Sequence, residues 1–353
     1  MSGVATLRIG IACSQDARDG YLAQTDLDRL DCIGDVSIQT FEMQGETWGQ
    51  IPVVPEYDDR LAAFASDKDV LIVFHGAPRV TARVLAAAPH LRMVGDIEGD
   101  RFAGRIDVAA ARAAGVIAVD TTHSSSWPVA EWTLALMLIC LRQNARFRQV
   151  IAGDDMTPHD YRTNPPGREL TGKTVGLIGF GHIGWRLREF LVPFENSVIA
   201  YDPYAPRELS DALRMDFASL EEVMGCDVVV CLAPATPATR GMIGKRELAL
   251  LRPDAAFINV SRGTVVDTEA LIARAAKNDA WFGIDAHDPE PIAIDSPLRG
   301  MSNVFLSPHI AGVTVEAQPR FFALMVDEIQ RFAAGLEPRA QLTDRVVAGR
   351  RSE

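Results

Sequence analysis

The stretch "VGLIGFGHIGWRLREF", residues 175–190, runs from a short apolar segment through three glycines into an amphipathic one. Gly179, Gly181 and Gly184 stand at GxGxxG spacing, with "KTVGLIGF" before them reading as a strand and "HIGWRLREFL" after them as a helix. In that context the motif has a mechanism. The first glycine makes a tight turn, the second lets the backbone approach a pyrophosphate, and the third lets helix pack on strand, with the helix N-terminus facing the phosphates. The next strand, "SVIAYD", closes on Asp202, whose carboxylate can accept both ribose hydroxyls of an adenosine and would repel a 2′-phosphate. NAD is therefore expected over NADP. His182 and Ile183 fall inside the turn and are expected beside the phosphates, His182 as a neutral turn residue rather than a catalyst.

The same alternation of strand and helix continues in both directions. Short β-branched runs ("LRIGIAC", "DVLIVFHG", "LRMVGD", "VIAVDT") are separated by Ala/Leu-rich helical stretches, the pattern of strand–helix–strand units on a parallel sheet. In one unit Asp107 is placed to cap the helix "VAAARAAG" and Gly115 to end it. The rhythm stops for "SSSWPVAEWTLALMLICLRQNARFRQV", which reads as one long helix over about 128–150, then for the loop "MTPHDYRTNPPGREL", and restarts after residue 170. A last long helix, "VEAQPRFFALMVDEIQRFAAG", follows the final strand and is expected to carry the chain back to its first domain. The organisation expected is α/β, with two doubly wound parallel-sheet domains: 1–122, then 123–312, with 313–353 completing the first.

Composition narrows the function classes. A chain of 353 residues, 48% hydrophobic and 23% charged, is long enough for two globular domains. Its formal net charge of −12 and the lack of a Lys/Arg run argue against nucleic acid and anionic membrane as partners. "WTLALMLICL" reads as about half of a bilayer span, and the N-terminus lacks a secretory pattern, so a cytoplasmic protein is expected. Five cysteines without a CxxC pair suggest neither disulfides nor a metal site.

All parallel strands of such a sheet finish at one edge, where ligands bind. Three successive strands end in ionisable residues: "AAFINV" runs into Arg262, "WFGIDA" into "HDPEP" with Glu290, and "NVFLS" into His309. Beside a nicotinamide, that trio suits interconversion of a hydroxy acid and a keto acid. Arg262 can grip a carboxylate in a bidentate fork. An imidazole titrates near neutral pH and can exchange a proton with the reacting oxygen, while a nearby carboxylate fixes its tautomer. Taken singly, Glu290 reads as a solvated loop carboxylate and His309 as structural; taken jointly at consecutive strand ends, the three point to a site.

The segments "GLIGFGHIG", "YDPY", "CDVVVCLAPATPATRGMI", "FINVSRGTVVD", "GIDAHDPEP" and "LSPHIAG", in this order, resemble the D-isomer-specific 2-hydroxyacid dehydrogenases over roughly residues 70–335. The resemblance implies a Rossmann NAD-binding domain, a flavodoxin-like substrate domain formed from both chain ends, and a homodimer docked through the coenzyme domains. It implies that Arg262 binds the substrate carboxylate, Glu290 assists, and His309 is the acid/base. Asp202 matches the ribose-binding aspartate and Asp285 the residue contacting the nicotinamide carboxamide; Pro234, Thr239, Val260, Arg262, His309 and Gly312 are further expected coenzyme neighbours.

The first domain departs from the family. After "LRMVG", where relatives carry a glycine-rich substrate loop, this chain reads "DIEGDRFAGRID", about two residues longer and carrying Asp96, Glu98, Asp100, Arg101 and Arg105. The acidic residues disfavour a small bare anion; the two arginines read best as surface-loop salt bridges, the alternative being that they offset the acidic residues or recognise a second anionic group. His75, Gly76, Glu98 and Gly99 are the expected substrate neighbours there. Trp127 and Trp281 either narrow a cleft or fill core, and Leu232 stands where many relatives have His. The activity expected is NAD-dependent interconversion of a D-2-hydroxy acid and its 2-keto acid. The alternatives are dehydrogenation of another small anion such as phosphite, or an NAD(H)-sensing binding protein on the same fold.

Overall fold

The computed structural model describes residues 6–42, 51–98, 105–147, 166–206, 208–213, 215–343 and 346. The chain divides into two compact units, one of Met1–Ser125 with Thr314–Ser352, the other of Ser126–Val313.

The first unit holds a five-stranded parallel sheet of β1 (Leu7–Cys13), β2 (Gly34–Thr40), β3 (Val70–Val73), β4 (Met93–Asp96) and β5 (Ile117–Asp120), in the order β2-β1-β3-β4-β5. The inner strands β1 and β3 read as largely apolar runs because both faces are covered, whereas the edge strand β2 (GDVSIQT) is mostly half-buried. Ile9, Ile11, Val70 and Ile72 enter the core on one face, and Ala12, Leu71 and Val73 the core on the other. The helix Ala317–Ala333 covers the first face with Phe321, Phe322, Met325, Val326 and Ile329. Truncating a fully buried ring such as Phe322 to Ala costs about 3–5 kcal/mol. Gly95 in β4 admits that helix, since a Cβ there would lie 2.4 Å from the Met325 sulfur. Asp107 caps the helix Val108–Ala113 through the Ala110 amide, and Gly115 ends it at φ +72°.

The second unit holds seven parallel strands: β6 (Thr174–Ile178), β7 (Ser197–Tyr201), β8 (Asp216–Phe217), β9 (Val228–Cys231), β10 (Ala256–Asn259), β11 (Trp281–Ile284) and β12 (Val304–Leu306). Their order is β12-β11-β10-β9-β6-β7-β8, so the direction of winding reverses between β6 and β9. That reversal opens a crevice at the carboxyl ends of the two strands.

The helix expected to reach residue 150 ends earlier, at Leu141. Gln143 takes a left-handed conformation (φ +56°), which closes the helix; residues 144–147 return to helix, and 148–165 lie outside the described residues. The turn before it adds to its length, so that Thr122–Leu141 is long and apolar enough to cross a membrane, where half a span was expected. More than half of that window is buried, Leu136, Met137, Cys140 and Leu141 within the second unit's core, which accounts for its hydropathy. All five cysteines are free; Cys32 is exposed and the others are buried.

Candidate active site

The turn after β6 is built by its glycines. Gly179 has φ +90°, and a Cβ on it would lie 2.9 Å from the Ala233 amide nitrogen and 3.0 Å from its Cα. The two strand ends flanking the crevice thus touch backbone to backbone at this glycine. Gly181 is the N-cap of the helix His182–Leu191, and no side chain caps that terminus. A Cβ at Gly181 would meet nothing within 4 Å, so this glycine leaves a side open for a ligand rather than for protein. Asp202 follows β7 and holds the turn in place: its Oδ2 accepts from the Phe180 amide (2.8 Å) and its Oδ1 from the Tyr204 amide (2.8 Å). Each carboxylate oxygen has a second lone pair for a ribose hydroxyl. An open cradle, an uncapped helix terminus and an adjacent carboxylate fit a dinucleotide. His182 is exposed at the helix start and Ile183 half-buried beside it. Thr239 donates to the Pro234 carbonyl (2.6 Å) in the loop after β9, and Val260 lies buried after β10.

The ends of β10, β11 and β12 are neighbours in the sheet. Arg262 follows β10, half-buried, with Nη1 donating to the Ser261 carbonyl (2.9 Å). Glu290 and His309 meet across the next two loops, Nδ1 of the imidazole 2.5 Å from Glu290 Oε1, with side-chain exposures of 13% for His309 and 19% for Glu290. His309 itself has φ +55°, a left-handed conformation that costs a residue with a Cβ about 1–2 kcal/mol. Gly263, buried directly after Arg262, lets the two loops close up: a Cβ there would lie 1.8 Å from the His287 carbonyl oxygen.

Three residues in this region escaped the sequence reading. Asp285 is fully buried, and its carboxylate receives protein donors: Ser307 Oγ (2.6 Å) and the Ile310 amide (3.1 Å) on Oδ1, and the Ala311 amide (3.0 Å) on Oδ2. Ser307 also accepts from the Trp132 indole nitrogen (3.1 Å), and its carbonyl lies 2.8 Å from His287 Nε2. Ser307, His287 and Trp132 carry no motif; proximity in sequence to His309 and Asp285 was the available signal for the first two. Gly312 follows Ala311 at the end of this turn, half-buried. Trp281 begins β11, at the amino ends of the strands, and packs half-buried against the second unit's core, in line with the core-filling reading. The Trp127 ring lies under the Arg186 guanidinium.

In the first unit, His75 follows β3 and Glu98 follows β4. His75 Nε2 lies 2.7 Å from Glu98 Oε2, and the Tyr21 hydroxyl lies 3.3 Å from the same oxygen. Gly76 (φ +80°) is packed 2.7 Å, measured from an added Cβ, from the Ser14 nitrogen and the Phe41 carbonyl. Gly99, Asp100 and Arg101 lie outside the described residues. Arg105 corrects the expectation of a surface salt bridge. It is 1% exposed, donates to the Phe74 (2.8 Å) and Ala77 (3.2 Å) carbonyls, and pairs with buried Asp96 at 3.4 Å. Backbone bonds cause this: Val80 N donates to Arg105 O (2.8 Å) and Asp107 N to Val80 O (2.9 Å), drawing the end of the loop under the sheet edge. Burial pushes the Asp96 carboxyl up to about 7; Arg105 opposes that shift and Asp120 adds to it. Among the described residues no group of three His, Cys, Asp or Glu side chains is arranged to hold a metal ion.

Residues 134–311 match the family model described as D-isomer specific 2-hydroxyacid dehydrogenase, NAD binding domain. The chain is 34% identical over 281 residues to a D-3-phosphoglycerate dehydrogenase of Mycobacterium bovis, covering 78% of this chain and 51% of the relative. It is 33% identical over 293 residues to a mitochondrial formate dehydrogenase of Hordeum vulgare, covering 80% and 75%. The chain thus spans about half the length of the phosphoglycerate dehydrogenases it matches. Among solved structures, a phosphoglycerate oxidoreductase from Rhizobium etli aligns with a TM-score of 0.78 at 22% identity, over 96% of this chain and 99% of that one, a likeness of fold.

Proposed function

The chain belongs to the D-isomer specific 2-hydroxyacid dehydrogenase family, and from that premise we propose that it interconverts a D-2-hydroxy acid and its 2-keto acid with NAD as coenzyme. The observation that carries this reading is the 2.5 Å contact of Glu290 with His309 Nδ1, on strand ends adjacent to the one that delivers Arg262. With Nδ1 turned to the carboxylate, Nε2 is the nitrogen that exchanges a proton with the substrate oxygen. Arg262 binds the substrate carboxylate through charge-assisted bonds of about 1.5–3 kcal/mol each. When bound, NAD would accept or supply the hydride at C2. His309 would take the hydroxyl proton through Nε2 in the oxidation direction and give it back in the reduction direction.

Gly179, Gly181, Ile183 and Gly184 hold the pyrophosphate in this reading, and Asp202 takes the ribose hydroxyls. The second unit is the coenzyme domain. The first is the substrate domain, its sheet edge carrying His75 and Glu98. The working form is a cytoplasmic homodimer, docked through the coenzyme domains, with a small-molecule acid as its partner.

Loss of NADH absorbance across a panel of 2-keto acids (glyoxylate, pyruvate, hydroxypyruvate and its phosphorylated form, phenylpyruvate and branched members), with NADPH in parallel, tests the proposal. NADH-dependent turnover of one class is the expected result. Tight NADH binding with no turnover of any acid would refute the dehydrogenase and favour a sensor, and formation of NADH from NAD+ and phosphite, measured separately, would move the substrate class.

A further inference from the structure

Packing leaves one side of the loop that carries Glu290 unsupported. A cavity of about 230 Å³ backs it, lined by Leu271, Ile272 and Ile292 and by His287, Asp288 and Pro289 of the loop itself. Atoms that face a void have no neighbours to resist displacement, so directional bonds must hold the loop in place. Toward β10, Thr268 Oγ1 donates to the Asp288 carbonyl (2.8 Å), and Asn259 Nδ2 donates to the Ala286 and Arg262 carbonyls (3.3 Å each). Toward β12, the buried ring of His287 brings Nε2 to 2.8 Å from the Ser307 carbonyl oxygen. A carbonyl only accepts, so Nε2 carries the hydrogen and donates. His287 stands three residues before Glu290, and Ser307 two before His309. The bond therefore joins the same two loops as the Glu290–His309 contact.

We propose that His287 is a positioning residue, whose ring, by donating to the Ser307 carbonyl, sets the spacing of the two loops at which Glu290 reaches His309. This rests on the reading of His309 as the acid/base and Glu290 as its assisting acid. The length of the side chain and its donor are both needed. A phenyl ring fills the same space but leaves the carbonyl of buried Ser307 without that donor, and the loops must part for water to replace it. A glutamine carries its amide nitrogen about as far from the backbone as an imidazole carries Nε2, whereas an asparagine is shorter by a methylene and falls short of the carbonyl.

The test uses His287→Phe, His287→Asn and His287→Gln in the full chain. The first readout is the separation of Glu290 Oε1 from His309 Nδ1 in crystals of the coenzyme-free proteins. It is expected to widen beyond about 3.5 Å in the Phe and Asn variants and to keep its hydrogen-bonded value in the Gln variant. The second is the split between turnover and coenzyme binding. The Phe and Asn variants are expected to lower kcat about tenfold, with the Kd for NADH within about threefold of wild type, which also reports a folded coenzyme unit. The Gln variant is expected to recover kcat to within about threefold of wild type. An unchanged separation in the Phe and Asn variants overturns the proposal even where their Tm falls, since a purely stabilising bond would give that result. A Gln variant as slow as the Phe variant overturns it as well. If the wild type turns over no 2-keto acid, the proposed function fails, while the separation still decides whether His287 spaces the loops.

Discussion

Gly263→Ala isolates the closeness of the loops that carry Arg262 and Glu290, on which the proposed reaction depends. The added Cβ would lie 1.8 Å from the His287 carbonyl oxygen, 1.9 Å from its carbon and 2.5 Å from the Asp288 nitrogen. Carbon atoms in contact stand about 3.5–4.0 Å apart, so the 287–291 segment must withdraw by roughly 1.5 Å. Every atom the methyl meets is backbone, and no side-chain rotation relieves the overlap. That segment carries Glu290, whose 2.5 Å contact with His309 does not survive such a shift. A displacement of about 1 Å in catalytic geometry costs about 10²-fold in rate, equivalent to about 2.7 kcal/mol. The glycine turn after β6 is formed by other strands, so coenzyme binding is expected to persist. The assay is kcat from NADH absorbance beside the Kd for NADH from fluorescence titration, the retained Kd also reporting a folded coenzyme unit. A variant with kcat within about threefold of wild type would refute the argument that Gly263 sets the Glu290 position.

Arg262→Ala is expected to lower kcat/KM by at least about 10²-fold with NADH affinity retained, and Arg262→Lys to recover little, because a lysine lacks the planar fork; an active Ala variant removes the carboxylate clamp. Asp202→Ala loses the Phe180 and Tyr204 amide bonds for either coenzyme, so the ratio of NADH to NADPH affinity isolates the ribose contact. That ratio is expected to fall about 10-fold or more in titrations of both coenzymes, and a ratio equal to wild type would clear Asp202 of discrimination. For Asp96 the folded carboxyl, raised to about 7, lies above its unfolded range, so its contribution to stability is complete below about pH 4 and is lost as pH rises through 7. Urea unfolding should therefore show wild type losing ground to Asp96→Asn between those limits, by at most about 1.4 kcal/mol per pH unit; a constant or widening wild-type advantage contradicts the assignment.

Much of the molecule was legible locally. A strand buried on both faces needs an apolar run, a helix end needs Asp107 or Gly115, and a phosphate turn needs Gly179 and Gly181, so each leaves a signature within a few residues. The order of strand endings also singled out Arg262, Glu290 and His309, because parallel strands deliver their ends to one edge. What depended on packing left no such mark. Arg105 sits in an acidic loop and reads as solvated, yet its backbone bonds to Val80 draw it under the sheet. Asp285 reads as a residue facing the coenzyme, and no motif shows that its carboxylate also accepts from the Ser307 hydroxyl and from the Ile310 and Ala311 amides twenty-odd residues onward. Periodicity and turn chemistry act over one or two turns of chain, so the sequence by itself determined the elements, the glycine turn and the edge where chemistry is placed. Burial and hydrogen-bond partners are set by segments distant in sequence, and only the tertiary structure decided which polar groups are buried, as Arg105 and Asp285 are, and which segments they hold together.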